Sequence, residues 1–173
     1  MILVVADTSP IHYLVLIEAI DVLAKLYDRV VIPTAVYGEL THRNAPEAVR
    51  RWAAALPRWA EVKTPSSVEL QGILDPGEAE AIALAQELKT EYLLLDEIEA
   101  RKMALARGLA VSGTVGVFEK AADRELLGLA NAFQRLLQTN FRIDRRLLQD
   151  ALARDAARKE RARIPDRDQG IDR

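Results

Sequence analysis

Four acids stand out by where they fall in the chain. Asp7 ends the apolar run 2–6, and Asp96 ends the apolar run 92–95. Glu39 closes the helical stretch that follows a second apolar run, 30–32. Glu78 lies in the first turn of the Ala-rich stretch that precedes 92–95. Short runs rich in Val, Ile and Leu read as buried strands. If those strands are parallel, both strand-end acids lie on one carboxyl edge, where the ligands of such sheets bind. Like charges about 4 Å apart repel by about 1 kcal/mol in water and by about 4 kcal/mol at an effective dielectric near 20. Three or four converging carboxylates therefore require a cation or protons. All-oxygen ligand sets select hard cations, Mg²⁺ or Mn²⁺. The expected chemistry is at phosphorus, where such ions polarise the phosphate and lower the pKa of an attacking water.

Each acid also has a purely structural explanation. Asp7 fits an acceptor of backbone N–H groups in the turn after its strand. Asp96 fits a helix N-cap, with Glu99 three residues on completing a capping box. Glu78 fits the third position of a box capped by Asp75, where an acid also favours the helix dipole. Glu39 fits an ordinary surface residue. Taken one at a time these explanations compete well; two strand-end acids on one edge favour the ligand reading. Other chemistries fit poorly. The chain has no GxxxxGK[ST], GxGxxG or GxSxG pattern. Its two histidines, His12 and His42, have no ligand-like neighbour in sequence and read as helix or loop residues. Gly113-Thr114-Val115-Gly116 reads as a turn with Thr114 as N-cap. Trp52 and Trp59 are able to stack on bases, but packing of an Ala-rich helix explains them better. Arg43, Arg50, Arg51 and Arg58 form a candidate phosphate-contacting patch, with a solvated face as the equal alternative.

The elements that must position these residues follow from periodicity. Strands are expected at 2–6, 30–32, 61–64, 92–95 and 109–111. Between them run helices: one capped by Ser9 with Pro10 at its first position, then about 20–27, from Pro33 through Leu40, about 46–56, 75–89 and up to 107. Further helices are expected after 113 and at about 128–139 and 144–160, with a polar tail at 164–173. Short strands alternating with helices make an α/β domain with a mainly parallel sheet, right-handed crossovers and helices on both faces.

Composition sets the bounds. The 173 residues suit one domain, and a 50% hydrophobic content argues against disorder. The absence of cysteine excludes disulfides and thiolate metal sites, and fits a reducing compartment such as the cytoplasm. The apolar N-terminus, interrupted by Asp7, His12 and Glu18, does not read as a signal peptide, and no run is long enough to span a membrane. Net charge is −2, but it is segregated: residues 142–173 hold ten Lys/Arg against seven Asp/Glu. A solvated helix and tail is the favoured reading of that arm.

Five blocks, in this order, resemble the PIN-domain proteins: VVADTSPIHYL, VVIPTAVYGEL, LDPGEAEAIALA, YLLLDEIEARKMA and GLAVSGTVGVF. The nearest likeness is to the branch of predicted nucleic-acid-binding proteins related to VapC-type toxins. The resemblance covers about residues 1–120. It implies a Rossmann-like α/β/α sandwich and a Mg²⁺/Mn²⁺-dependent nuclease, usually acting on RNA, with DNA as a second polynucleotide. It assigns the catalytic, metal-binding acids to Asp7, Glu39, Glu78 and Asp96. The hydroxyl beside the first acid corresponds to Thr8 or Ser9, of which Ser9 is the expected one. Many relatives carry Asp where this chain has Glu78. The adjacent acids Glu80 and Glu97 receive no role. The resemblance further implies a small antitoxin partner that covers the acidic pocket, and frequent homodimerisation. The expected division is a nuclease domain at 1–140 and a C-terminal helix with a basic polar tail at 141–173. A non-catalytic module on the same fold, binding nucleic acid or antitoxin, is the alternative.

Overall fold

A computed structural model describes residues 1–164. Five strands form one sheet: β1 (Leu3–Ala6), β2 (Arg29–Pro33), β3 (Ala60–Lys63), β4 (Tyr92–Leu94) and β5 (Val111–Ser112). All pairings are parallel, and the order is β3-β2-β1-β4-β5. The fold is the α/β, Rossmann-type arrangement expected, with helices flanking the sheet. Val4, Val5, Val30, Val31, Ile32, Leu93 and Leu94 are all fully buried. Burial on both faces explains why these strands are continuously apolar rather than alternating.

Six helices precede β5 in the chain: α1 (Thr8–Leu16), α2 (Val22–Leu26), α3 (Thr34–Thr41), α4 (Glu47–Ala54), α5 (Pro76–Leu88) and α6 (Ile98–Ala106). On one face of the sheet Val5, Val31, Leu93 and Leu95 share a core with Ala79 and Ile82 of α5 and with Ala100 and Ala104 of α6. Alanine on these helices keeps the contact layer thin. The rings of Trp52 on α4 and Trp59 lie tilted against each other, with centroids 6.1 Å apart.

Two helix starts differ from expectation. The first helix begins at Thr8, so Asp7 is its N-cap and Ser9 lies inside its first turn. Pro10 is tolerated there because first-turn N–H groups have no helical partner. The cap of α6 is Glu97, which accepts from Ala100 N–H at 2.8 Å; Asp96 does not cap it. The start of α5 is as expected: Asp75 accepts from Glu78 N–H at 2.9 Å and Pro76 occupies the first turn.

The chain divides into two compact units, Met1–Val117 and Phe118–Arg173. The division falls within α7 (Thr114–Asp123), which is followed by α8 (Leu129–Leu137) and α9 (Arg145–Arg163). In the second unit the rings of Phe118 and Phe133 lie 6.2 Å apart, and Leu136, Leu148 and Ala151 are buried. Buried Asp155 pairs with Arg158 and Lys159, and Arg154 pairs with Glu119. Three of the seven Lys/Arg of α9, Arg154, Arg158 and Lys159, are therefore held in ion pairs. The end of the polar tail, 165–173, lies outside the described residues. No helix among them is long and apolar enough to cross a membrane.

One long-range contact sets α3 against α5. Glu80 on α5 accepts from Ala35 N–H, in the first turn of α3, at 2.8 Å. A carboxylate on an orphan first-turn amide serves as a cap supplied by another helix. Replacing Glu80 with Ala is expected to lower the unfolding free energy by about 1–2 kcal/mol. Glu80→Gln, which keeps an acceptor, recovers most of that loss. Urea denaturation followed by circular dichroism reads both variants.

Candidate active site

The strand order reverses between β1 and β4. The chain leaves β1 for β2 and β3 on one side, and returns to β4 and β5 on the other. Loops at the carboxyl ends of two such strands diverge and open a crevice. Asp7 and Asp96 enter at this point. Ala6 pairs with Leu94, Asp7 N–H donates to Leu94 O at 2.9 Å, and Asp96 follows two residues after Leu94.

Glu39 and Glu78 arrive on helices. Glu39 lies in the last turn of α3, and Glu78 in the first turn of α5. Glu39 and Asp7 come together beside Gly77. A Cβ on Gly77 would lie 2.9 Å from Glu39 Oε1 and 3.2 Å from Asp7 Oδ1. Both carboxylates thus converge on the bare backbone that opens α5. Thr8 Oγ1 donates to Glu39 Oε2 at 2.5 Å, which leaves Oε1 to face Asp7. Of the two candidate hydroxyls, Thr8 is the one the fold brings to an acid of the cluster.

The electrostatics follow from burial. Asp7 is only 7% exposed and makes no side-chain cap bond to α1. Burial pushes its carboxyl up to about 8, against a smaller lowering by Thr8 N–H, and the charges of Asp75, Glu39 and Glu78 push it further up. Glu78 is raised to about 7, first by burial, then by Asp75 and Glu97. Glu39 is raised by burial and by Asp75, with the Thr8 hydroxyl bond acting the other way. Among the described residues no cation contributes to the shift of any of these three.

Asp96 has different surroundings. Its Oδ1 accepts from Thr114 N–H at 2.7 Å and its Oδ2 from Thr114 Oγ1 at 2.5 Å. The turn residue Thr114 is fully buried. Arg101 Nη1 donates to Leu95 O at 2.8 Å and its positive charge lowers the Asp96 carboxyl. Burial, the largest influence, still leaves that carboxyl raised. A Cβ on Gly113 would lie 2.7 Å from Asp96 Oδ1 and 2.8 Å from Arg101 Nη1. Asp96 is thus a backbone acceptor after all, for the start of α7 rather than of its own helix.

Several further residues take part in the electrostatics and geometry of the cluster. Asp75 reads as a helix cap, and it is one, yet its charge acts on Asp7, Glu39 and Glu78. Glu97 likewise caps α6 and acts on Glu78. Arg101, Gly77 and Gly113 carry no local signal, since each matters only through a neighbour brought by folding.

The donor set suits a hard divalent cation: all oxygen, clustered and short of positive charge. Among the described residues no three His, Asp or Glu side chains stand arranged to hold a metal ion. Asp7 and Glu39 bring two carboxylates together beside Gly77. That suits Mg²⁺, which keeps several waters and binds through one or two carboxylates plus substrate phosphate.

Asp7 and Glu78 hold protons to higher pH than the same groups unfolded, near 4. In chelator the protein is therefore expected to lose stability as pH rises from about 4 to about 8. Asp7→Asn flattens that slope, whereas Asp96→Asn costs about 1–3 kcal/mol because an amide cannot accept both Thr114 bonds. Melting curves across pH with each variant test both statements. Gly77→Ala is expected to leave the melting temperature within a few degrees, because the nearest atom belongs to a flexible side chain. It is expected to weaken Mn²⁺ binding at least about tenfold by displacing Glu39 and Asp7, as read by calorimetric titration.

No curated protein matches the chain. The PIN-domain family model matches residues 3–156. The chain, with its acids at the carboxyl edge of a parallel five-stranded sheet, belongs to the PIN-domain family, whose members are in general nucleases that use divalent metal ions.

Proposed function

We propose that the chain is a Mg²⁺- or Mn²⁺-dependent endoribonuclease that hydrolyses RNA phosphodiester bonds. The observation that carries this reading is the group of Asp7, Glu39 and Glu78, of which Asp7 and Glu78 are buried, and whose charge no cation among the described residues offsets. Asp7 and Glu39 would hold the ion, with Glu78 and Asp96 on the borders of the same crevice. When bound, the ion polarises the phosphate and generates a nucleophile from water near neutral pH. Thr8 fixes the rotamer of Glu39 by its hydroxyl bond. Thr114 and Arg101 fix Asp96. The sheet fixes Asp7 through its backbone bond to Leu94.

The same reading makes the protein the toxin of a toxin–antitoxin pair, acting in the cytoplasm, of the VapC-like kind. A small antitoxin that places a cation in the acidic crevice would silence it, and a homodimer is the expected assembly. The competing reading is a non-catalytic module that binds nucleic acid or an antitoxin. It draws on the fact that, among the described residues, no three acids stand ready for one ion.

Cleavage of varied RNAs, with single-stranded DNA in parallel, is expected to depend on Mn²⁺ or Mg²⁺ and to stop in chelator. Asp7→Asn is expected to reduce the rate at least about 10²-fold, the upper end of what loss of a partner behind a metal ligand costs. Equal cleavage by Asp7→Asn would trace the activity to a contaminant. No metal-dependent cleavage of any RNA would favour the binding module.

A further inference from the structure

A groove of about 570 Å³ runs from the acid cluster between α1, α3 and the loop 42–46. Thr8 and Glu39 line it together with His12, His42, Asn44 and Pro46. It thus collects both histidines of the chain beside one acid of the cluster. The two rings are prepared differently. His12 is half-buried, and burial lowers its pKa, so it is neutral near pH 7. Its ring meets Tyr13 edge-on with centroids 4.8 Å apart, which restricts its rotation. His42 Nδ1 accepts from Asn44 N–H at 3.1 Å. In the neutral ring the proton is therefore on Nε2, a donor. Cations border the same loop. Arg43 lies between His42 and Asn44 and is exposed, and Arg50 Nε donates to Ala45 O at 3.1 Å.

We infer that this groove holds the nucleotide next to the scissile phosphate of a single-stranded RNA. His12 stacks on the base, and the Nε2–H of His42 donates to the same nucleotide. Continuity with the acid cluster and charge support this placement. A phosphodiester chain whose scissile phosphate lies at Asp7 and Glu39 must place a neighbouring nucleotide within a few ångströms, and this groove opens from Glu39. An acidic floor repels a polyanion, so the approach needs basic and neutral aromatic surface. Arg43 and Arg50 supply the charge, and base–ring stacking tolerates any sequence. The inference rests on the nuclease reading above and adds the residues that seat the substrate.

The test uses the Asp7→Asn protein, Mg²⁺ and a fluorescent eight-nucleotide single-stranded RNA, read by anisotropy. His12→Ala and His42→Ala are each expected to weaken binding about tenfold, with unchanged melting temperature. His12→Phe, which keeps a ring, retains binding and guards against a folding defect in the alanine variant. In otherwise wild-type protein, both alanine variants raise KM and leave kcat within about twofold. An abasic position beside the scissile bond, tried on each side in turn, removes the His12→Ala effect on one side. If wild-type protein cleaves RNA but the double variant His12→Ala/His42→Ala binds and cleaves equally well, the groove assignment is wrong and the nuclease reading stands. If the protein neither binds nor cleaves RNA, the nuclease reading fails and takes this inference with it.

Discussion

Carboxylates that are buried together resist ionisation, and that resistance organises the active end of this protein. Asp7 bears it most, because the sheet leaves it almost no water and its own helix offers it no capping bond. Desolvation and like charge act in the same direction there. A hard cation relieves both at once. The fold must therefore do work that the acids themselves oppose, by holding them together before any cation arrives.

That work is done by backbone contacts more than by side chains. Asp7 is tied to Leu94 through a main-chain bond in the β1–β4 ladder. Gly77 lets α5 approach where any Cβ would strike Glu39. Glu80 then ties α5 to the first turn of α3, the helix that ends near Glu39. Asp75 caps α5 and adds to the local charge, so one residue both stabilises a helix and loads the site.

The two strand-end acids look alike in sequence and behave differently in the fold. Asp7 faces acids, whereas Asp96 faces Thr114 and Arg101. The difference comes from β5 and the turn after it. That strand lies beside β4, so the start of α7 reaches Asp96 with an N–H and a hydroxyl. Asp7 makes no side-chain cap bond, whereas both oxygens of Asp96 are engaged by Thr114.

Much of the architecture was legible in the chain itself. Continuous Val-, Ile- and Leu-rich runs mark strands buried on both faces, and the alternation with helices requires parallel crossovers, so Asp7 and Asp96 had to share an edge. Local signals also marked the caps of α5, since Asp75 and Pro76 act within one helical turn. The rest depended on residues far apart in sequence. Nothing near Thr8 indicates that its hydroxyl, rather than that of Ser9, meets Glu39, because that depends on where α1 begins. Nothing near Asp96 indicates that it holds Thr114 and leaves the α6 cap to Glu97. Gly77, Gly113 and Arg101 matter only through close approach. Patterns of hydrophobicity and capping are local and survive in one dimension; the spacing of charges across a crevice exists only after the sheet has closed the distance.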